Sequence, residues 1–167
     1  MSADSLPVSQ WDLILRLIIA TVLGGLIGLE RETGKRPAGL RTYMLVSLGS
    51  ALFTVLSIYA FPLHGAAQDT ARVAAQIVVG IGFLGAGTLW RSQNAVHGLT
   101  TAAGLWVAAA IGMAVGSGFM LLAAVSTILV LIILTVLHRF EQYIPAQRDL
   151  PEGPVESPDG EAPRGWG

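Results

Sequence analysis

No cysteine occurs anywhere in the sequence, which excludes disulfides and thiolate metal sites and leaves redox chemistry silent on compartment. Charge is scarce as well: 13% of residues are Asp, Glu, Lys or Arg, and no acidic residue falls between Asp69 and Glu141. The three histidines, His64, His97 and His138, fall in or beside three different loops. No nucleophile, base and carboxylate are grouped as a triad requires, so no enzyme and no cofactor are expected. What remains is apolar: 53% of the 167 residues are hydrophobic and the mean hydropathy is +0.63. That is too apolar and too poor in charge for an ordinary soluble domain, and the chain reads as a small polytopic membrane protein.

The expected fold class is an all-α integral membrane protein with five transmembrane helices, at about 13–29, 40–61, 73–90, 99–116 and 119–137. Each approaches the roughly 20 residues that cross a hydrocarbon core. Residues 1–12 form a short polar lead without Lys or Arg and with no small-residue cleavage site beyond it, so the first helix is expected to stay. Glu30 to Pro37 reads as a charged loop, and residues 91–98 as a short polar turn holding Arg91 and His97. The fifth helix is apolar all round apart from Ser126, Thr127 and Thr135, which suits a lipid-facing edge. Residues 142–167, rich in Pro, Gly and acidic groups, read as a disordered tail after a membrane domain at 13–141.

The cations orient the chain. With the N-terminus outside, Arg31, Lys35, Arg36, Arg41, Arg91, Arg139, Arg148 and Arg164 are cytoplasmic and only Arg16 and Arg72 are not, as the positive-inside rule favours. His64 then lies outside and His97 and His138 inside, so the three cannot share a zinc. Arg16, near the start of the first helix, can snorkel to the interface.

Two small-residue stripes stand out, Ala20, Gly24 and Gly28 on the first helix and Gly104, Ala108, Gly112 and Gly116 on the fourth. In lipid, such stripes let helices approach closely, either within the fold or against a partner or a second copy. Gly80, Gly82 and Gly85 match GxGxxG, yet a dinucleotide site needs a strand, a turn and an acidic residue about 20 positions on, and none follows. Helix packing is the expected use of these glycines and of Gly87. Leu29-Glu30-Arg31 is echoed by Leu89-Trp90-Arg91, and Gly39-Leu40-Arg41-Thr42 by Gly98-Leu99-Thr100-Thr101. The echo suggests two parallel-repeat hairpins plus a peripheral fifth helix.

Three blocks carry a resemblance: GLIGLERETGKRPAGLRTYMLVSLGSALF, DTARVAAQIVVGIGFLGAGTLWR and VHGLTTAAGLWVAAAIGMAVGSG. In this order they resemble the membrane domain of the MgtC/SapB family of bacterial inner-membrane proteins. The resemblance implies a five-helix inner-membrane protein with its N-terminus outside. It also implies links to growth in low magnesium, to survival inside macrophages and to inhibition of the rotary ATP synthase. Longer members carry a soluble cytoplasmic domain, whereas only about 25 Pro-rich residues are expected to follow the last helix here. Glu30, Arg31, Glu32, Pro37, Gly39, Leu40, Arg41 and Thr42 match the first motif, Arg72, Gln76, Gly80, Gly82, Gly85, Gly87 and Arg91 the second, and Gly98, Thr100 and Thr101 the third.

Two readings of these positions follow. As interfacial anchors, Glu30 and Arg41 flank a cytoplasmic loop and pair with Arg91, while Asp69 and Arg72 pair at the outer face. A magnesium path instead needs oxygen ligands, and Glu30, Glu32 and Asp69 lie at opposite faces, leaving only an oligomeric pore lined by Gln76, Thr88 and backbone carbonyls. The favoured class is a non-enzymatic regulator packed against another membrane protein or a second copy, with a magnesium or other cation transporter as the alternative. The bilayer is the other expected partner, and nucleic acid is not expected.

Overall fold

The computed structural model describes residues 8–60, 70–92 and 95–137. Five helices follow in order: α1 (Gln10–Thr33), α2 (Leu40–Tyr59), α3 (Thr70–Ala86), α4 (Leu99–Gly116) and α5 (Met120–Ile132), the last continued by a π-helical turn at Ile133–Leu137. Between α3 and α4 lies a small antiparallel hairpin, β1 (Trp90–Ser92) and β2 (Ala95–His97), with Trp90 opposite His97. Among the described residues α1, α2 and α4 are long and apolar enough to cross a membrane, and α3 and α5 are shorter apolar helices.

The packing follows from where the small residues fall. α2 lies between α1 and α4, and α4 touches every other helix. A Cβ on Gly24 of α1 would stand 2.6 Å from Ser47 Cβ, and one on Gly28 would stand 2.8 Å from Leu40 Cα. From the other side, a Cβ on Gly112 of α4 would come within 2.9 Å of Ser47 C, and one on Gly116 within 2.7 Å of Ala51 O. Ala20 and Ala108 are fully buried in the same seams. Both small-residue stripes therefore grip α2, and each of these glycines is spent on packing inside the fold. Ser47 crosses the seam, its hydroxyl donating to Ala20 O at 2.7 Å. Tyr43 does the same toward α4, donating to Thr101 O at 3.3 Å, with Gly104 leaving room for its ring. α5 buries Ala123 and Thr127 against the outside of α1 and α4 and turns most of its apolar side chains outward.

The structure corrects several expected boundaries. α1 does not stop at residue 29: the helix runs through Glu30, Arg31 and Glu32 to Thr33, so these charges occupy its last turn and not a loop. It also begins earlier, at Gln10, because the Ser9 hydroxyl accepts from Trp11 N and Asp12 sits in the positive first turn. α3 ends at Ala86, four residues before the expected Trp90, and starts at Thr70. Its end is tightened by Thr88 N and Thr88 Oγ1, both donating to Gly85 O. Gly80, Gly82 and Gly85 all lie inside this helix, so their GxGxxG spacing forms no phosphate turn. The expected polar turn at Arg91 and His97 is the β hairpin. It returns to α4 through Gly98, at φ +93°, where a Cβ would lie 2.9 Å from Thr88 C. The lead at 1–7, His64, Asp69, His138 and the tail lie outside the described residues.

Candidate functional site

Five of the charged residues singled out in the sequence, Glu30, Arg31, Glu32, Arg41 and Arg91, gather at one end of the bundle, where α1 ends, α2 and α4 begin and the hairpin sits. Arg31 is 2% exposed, an unusual place for a guanidinium, and is held by its neighbour Glu30: Nε donates to Glu30 Oε2, and Nη2 donates to Oε1 at 2.7 Å. A buried charge persists only when so paired. Glu30 is therefore engaged by Arg31, and not by Arg91 as expected; Arg41 and Arg91 are both exposed.

Glu32 has a different task. Its Oε2 accepts from Leu40 N at 3.0 Å, which caps the start of α2 and places a carboxylate at the positive end of that helix. The preceding Gly39 offers no side-chain cap, and a Cβ there would come within 2.9 Å of Glu32 Cδ. The sequence ERETGKRPAGLR is thus a helix end, a tight turn and a capped helix start. The turn has the Schellman pattern, Arg36 N donating to Arg31 O and Lys35 N to Glu32 O. Lys35 occupies its left-handed position at φ +52°, the only described non-glycine residue with positive φ.

Beside these groups opens a cavity of about 880 Å³ lined in part by Arg31, Lys35, Arg36, Trp90, His97 and Thr100. Trp90 and His97 stack at 5.3 Å between ring centroids. Thr101, one residue on from Thr100, is buried and offers its carbonyl to Tyr43.

The other candidates lie elsewhere. Arg72 sits in the first turn of α3, and its expected partner Asp69 is outside the described residues. Gln76 is exposed and lines an apolar groove of about 640 Å³ between α2 and α3. Gly49 of α2 and Gly80 of α3 line the same groove, and a Cβ on either would meet nothing within 4 Å; the same holds for Gly82. Gly85 approaches Ala102 of α4, and Gly87 lies in the turn after α3. Among the described residues no three His, Asp or Glu side chains are grouped to hold a metal.

At the opposite end a residue set aside as an interfacial anchor proves central. Arg16 donates to Gly116 O at 2.9 Å and to the Tyr59 hydroxyl at 3.3 Å, tying α1 to the ends of α4 and α2. Its cation also sits at the negative end of α4. Neither Arg16 nor Tyr43 belongs to a charged or glycine-rich cluster, and the long-range spacing of their contacts leaves no local signal.

The blocks that build the charged end and the α2 seams are those a family model detects: the MgtC family model matches residues 17–143. The chain belongs to the MgtC family. It is 47% identical over 133 residues to the Escherichia coli K12 protein named "Putative magnesium transporter YhiD", covering 77% of this chain and 61% of that one. Protein MgtC of Brucella abortus is 45% identical over 128 residues, covering 77% of this chain and 52% of that one. Protein SapB of Bacillus subtilis is 43% identical over 126 residues, covering 72% and 54% respectively. The chain spans between 52% and 61% of the length of these relatives. No solved structure matches it significantly. A mostly helical, apolar membrane protein of the MgtC family is thus in hand, and none of these three names denotes an enzyme.

Proposed function

We propose that this MgtC-family protein is a non-enzymatic regulator of the bacterial inner membrane that acts by helix contact with another membrane protein, in magnesium or acid stress adaptation and intracellular survival. The observation that carries the reading is the unequal use of glycine. Gly24, Gly28, Gly104, Gly112 and Gly116 are consumed by the grip on α2, whereas Gly49 and Gly80 face open space on either side of the α2–α3 groove. Glycines that no neighbour in the fold requires, on an apolar face with Thr42, Ser50 and Gln76 as its polar points, suit the close approach of another helix.

In this reading the protein has five spans. α3, at 17 residues, and α5 with its π-helical turn reach across a bilayer locally thinned to fit. The cation-rich end, with Arg31, Lys35, Arg36, Arg41 and Arg91, faces the cytoplasm, and the N-terminus lies outside.

The resemblance supplies a first partner to test, the rotary ATP synthase. The experiment compares wild type with Gly80→Leu and Gly49→Leu for co-purification with that enzyme and for its ATP-driven proton pumping in membrane vesicles. Normal accumulation with loss of both effects supports the reading; variants that accumulate, co-purify and inhibit like wild type contradict it.

The alternative, a cation transporter formed as an oligomer, is prompted by the name of the YhiD relative. One feature weighs against a path through one protomer: the α1–α2–α4 seams are too tight for a Cβ.

A further inference from the structure

The hairpin between α3 and α4 has little inside the fold to hold it. All six strand residues are exposed, and the two strands pack chiefly on each other. Toward Arg31 and Pro37 lies the cavity of about 880 Å³, so the hairpin does not rest on the turn between α1 and α2. A lone two-stranded hairpin is marginal in water. The ring contact that braces this one is the Trp90–His97 stack at its base.

Its side chains are not those of a water-facing turn. Trp90 is 50% exposed and Val96 53%, and they continue an exposed apolar surface that includes Phe83 of α3, Leu89 and Leu99 at the start of α4. In the ladder Trp90 lies opposite His97 and Arg91 opposite Val96, and the pleat turns these two pairs to opposite faces. Each face therefore carries one apolar and one polar group. Arg91 enters no ion pair with another described residue. Such a surface suits neither bulk water nor hydrocarbon, and fits the layer between them.

Depth is bounded from both directions. The 17 residues of α3 reach about 25 Å at about 1.5 Å each, short of a core of about 30 Å, so the lipid interface meets the chain close to the hairpin. In the other direction, the Arg91 guanidinium and the unpaired outer edges of a two-stranded ladder exclude the hydrocarbon itself.

We propose that the hairpin is seated in the headgroup layer of the bilayer, with the Trp90 indole at the boundary with the acyl chains and Arg91 among the headgroups. Tryptophan favours this depth because its ring is apolar while its N–H needs a polar partner. The hairpin is thereby an anchor that fixes the height of the α3–α4 connection, and the partner of this surface is lipid. It is separate from the α2–α3 groove, so its failure leaves the regulatory reading standing and the reverse also holds.

The test is the fluorescence of the full chain in phosphatidylcholine liposomes with a single tryptophan retained. One chain keeps Trp90 and carries Trp11→Phe, Trp106→Phe and Trp166→Phe. The reference chain keeps Trp106, exposed near the middle of α4, and carries Trp90→Phe in place of Trp106→Phe. Both are used once their circular dichroism matches wild type. Quenching is compared between lipids brominated near the headgroup, lipids brominated near the chain ends, and aqueous acrylamide. Trp106 should be quenched most by the deep bromines. Trp90 should be quenched more by the shallow bromines than by the deep ones, with emission blue-shifted from that of tryptophan in water and weaker acrylamide quenching than free tryptophan shows. Water-like emission with strong acrylamide quenching and none by bromine would place the hairpin in solution and overturn the proposal. Protection from both quenchers, as under a protein partner, or the deep pattern of Trp106, overturns it equally.

Discussion

Gly112→Ala is the smallest perturbation that interrogates how the bundle is held. The added Cβ would stand 2.9 Å from Ser47 C and 3.0 Å from Ser47 Cα, with Ser47 O nearer still. Contact between carbons settles at about 3.5–4.0 Å, so α4 and α2 must separate locally. α2 cannot simply retreat, because its other side is closed by Gly24, whose own Cβ position lies 2.6 Å from Ser47 Cβ. Displacing Ser47 also strains its bond to Ala20 O. Overpacking of this kind costs about 1–3 kcal/mol, and an interhelical hydrogen bond in a membrane protein about 0.6 kcal/mol. The expected loss is about 2–3 kcal/mol. Gly80→Ala is the matched control: it adds the same methyl where nothing lies within 4 Å, and should be neutral or stabilising by up to about 1 kcal/mol. Unfolding of both variants in mixed micelles, followed by circular dichroism, separates the cases. A Gly112→Ala protein as stable as wild type, or a Gly80→Ala protein as damaged as Gly112→Ala, would refute the reasoning.

Four further outcomes are expected at the helix ends. Arg16→Gln should lower stability by about 1–2 kcal/mol by releasing Gly116 O from a half-buried cation at the C-terminus of α4, and Arg16→Lys should recover part of that loss in the same titration. Glu32→Ala should cost about 0.5–2 kcal/mol as the cap on Leu40 N is lost. Gly39→Ala should be damaging with Glu32 present and milder in the Glu32→Ala background, a coupling that a double-mutant cycle measures. Lys35→Gly should raise stability by about 0.5–1 kcal/mol, because glycine accepts the left-handed position that a lysine resists, and a thermal melt reads this directly.

What the sequence revealed and what it hid divide along physical lines. α4 is bracketed by Gly98 and Gly118, both at positive φ, and such punctuation is local and readable. The small-residue stripes were equally legible as close-approach surfaces, but nothing in them says which helix they face; only the placement of Ser47 between Gly24 and Gly112 assigns both to α2. Charge misled at Glu30 to Glu32. A polar run reads as loop, yet these residues continue α1 because Arg31 finds Glu30 and Glu32 reaches forward to Leu40 N. The hairpin at Trp90 to His97 escaped because each strand has three residues, too few for alternation to register. Arg16 and Tyr43 act across 100 and 58 positions respectively, and contacts at that separation carry no signature in one sequence.

Magnesium flux into liposomes containing the purified chain, beside empty liposomes and an active known transporter, tests the central claim most directly. No uptake above the empty liposomes is predicted, with the protein shown to be folded by its circular dichroism. Saturable magnesium uptake, abolished by Asp69→Asn or by Gln76→Leu, would contradict a regulator that works by helix contact and would make the protein a transporter.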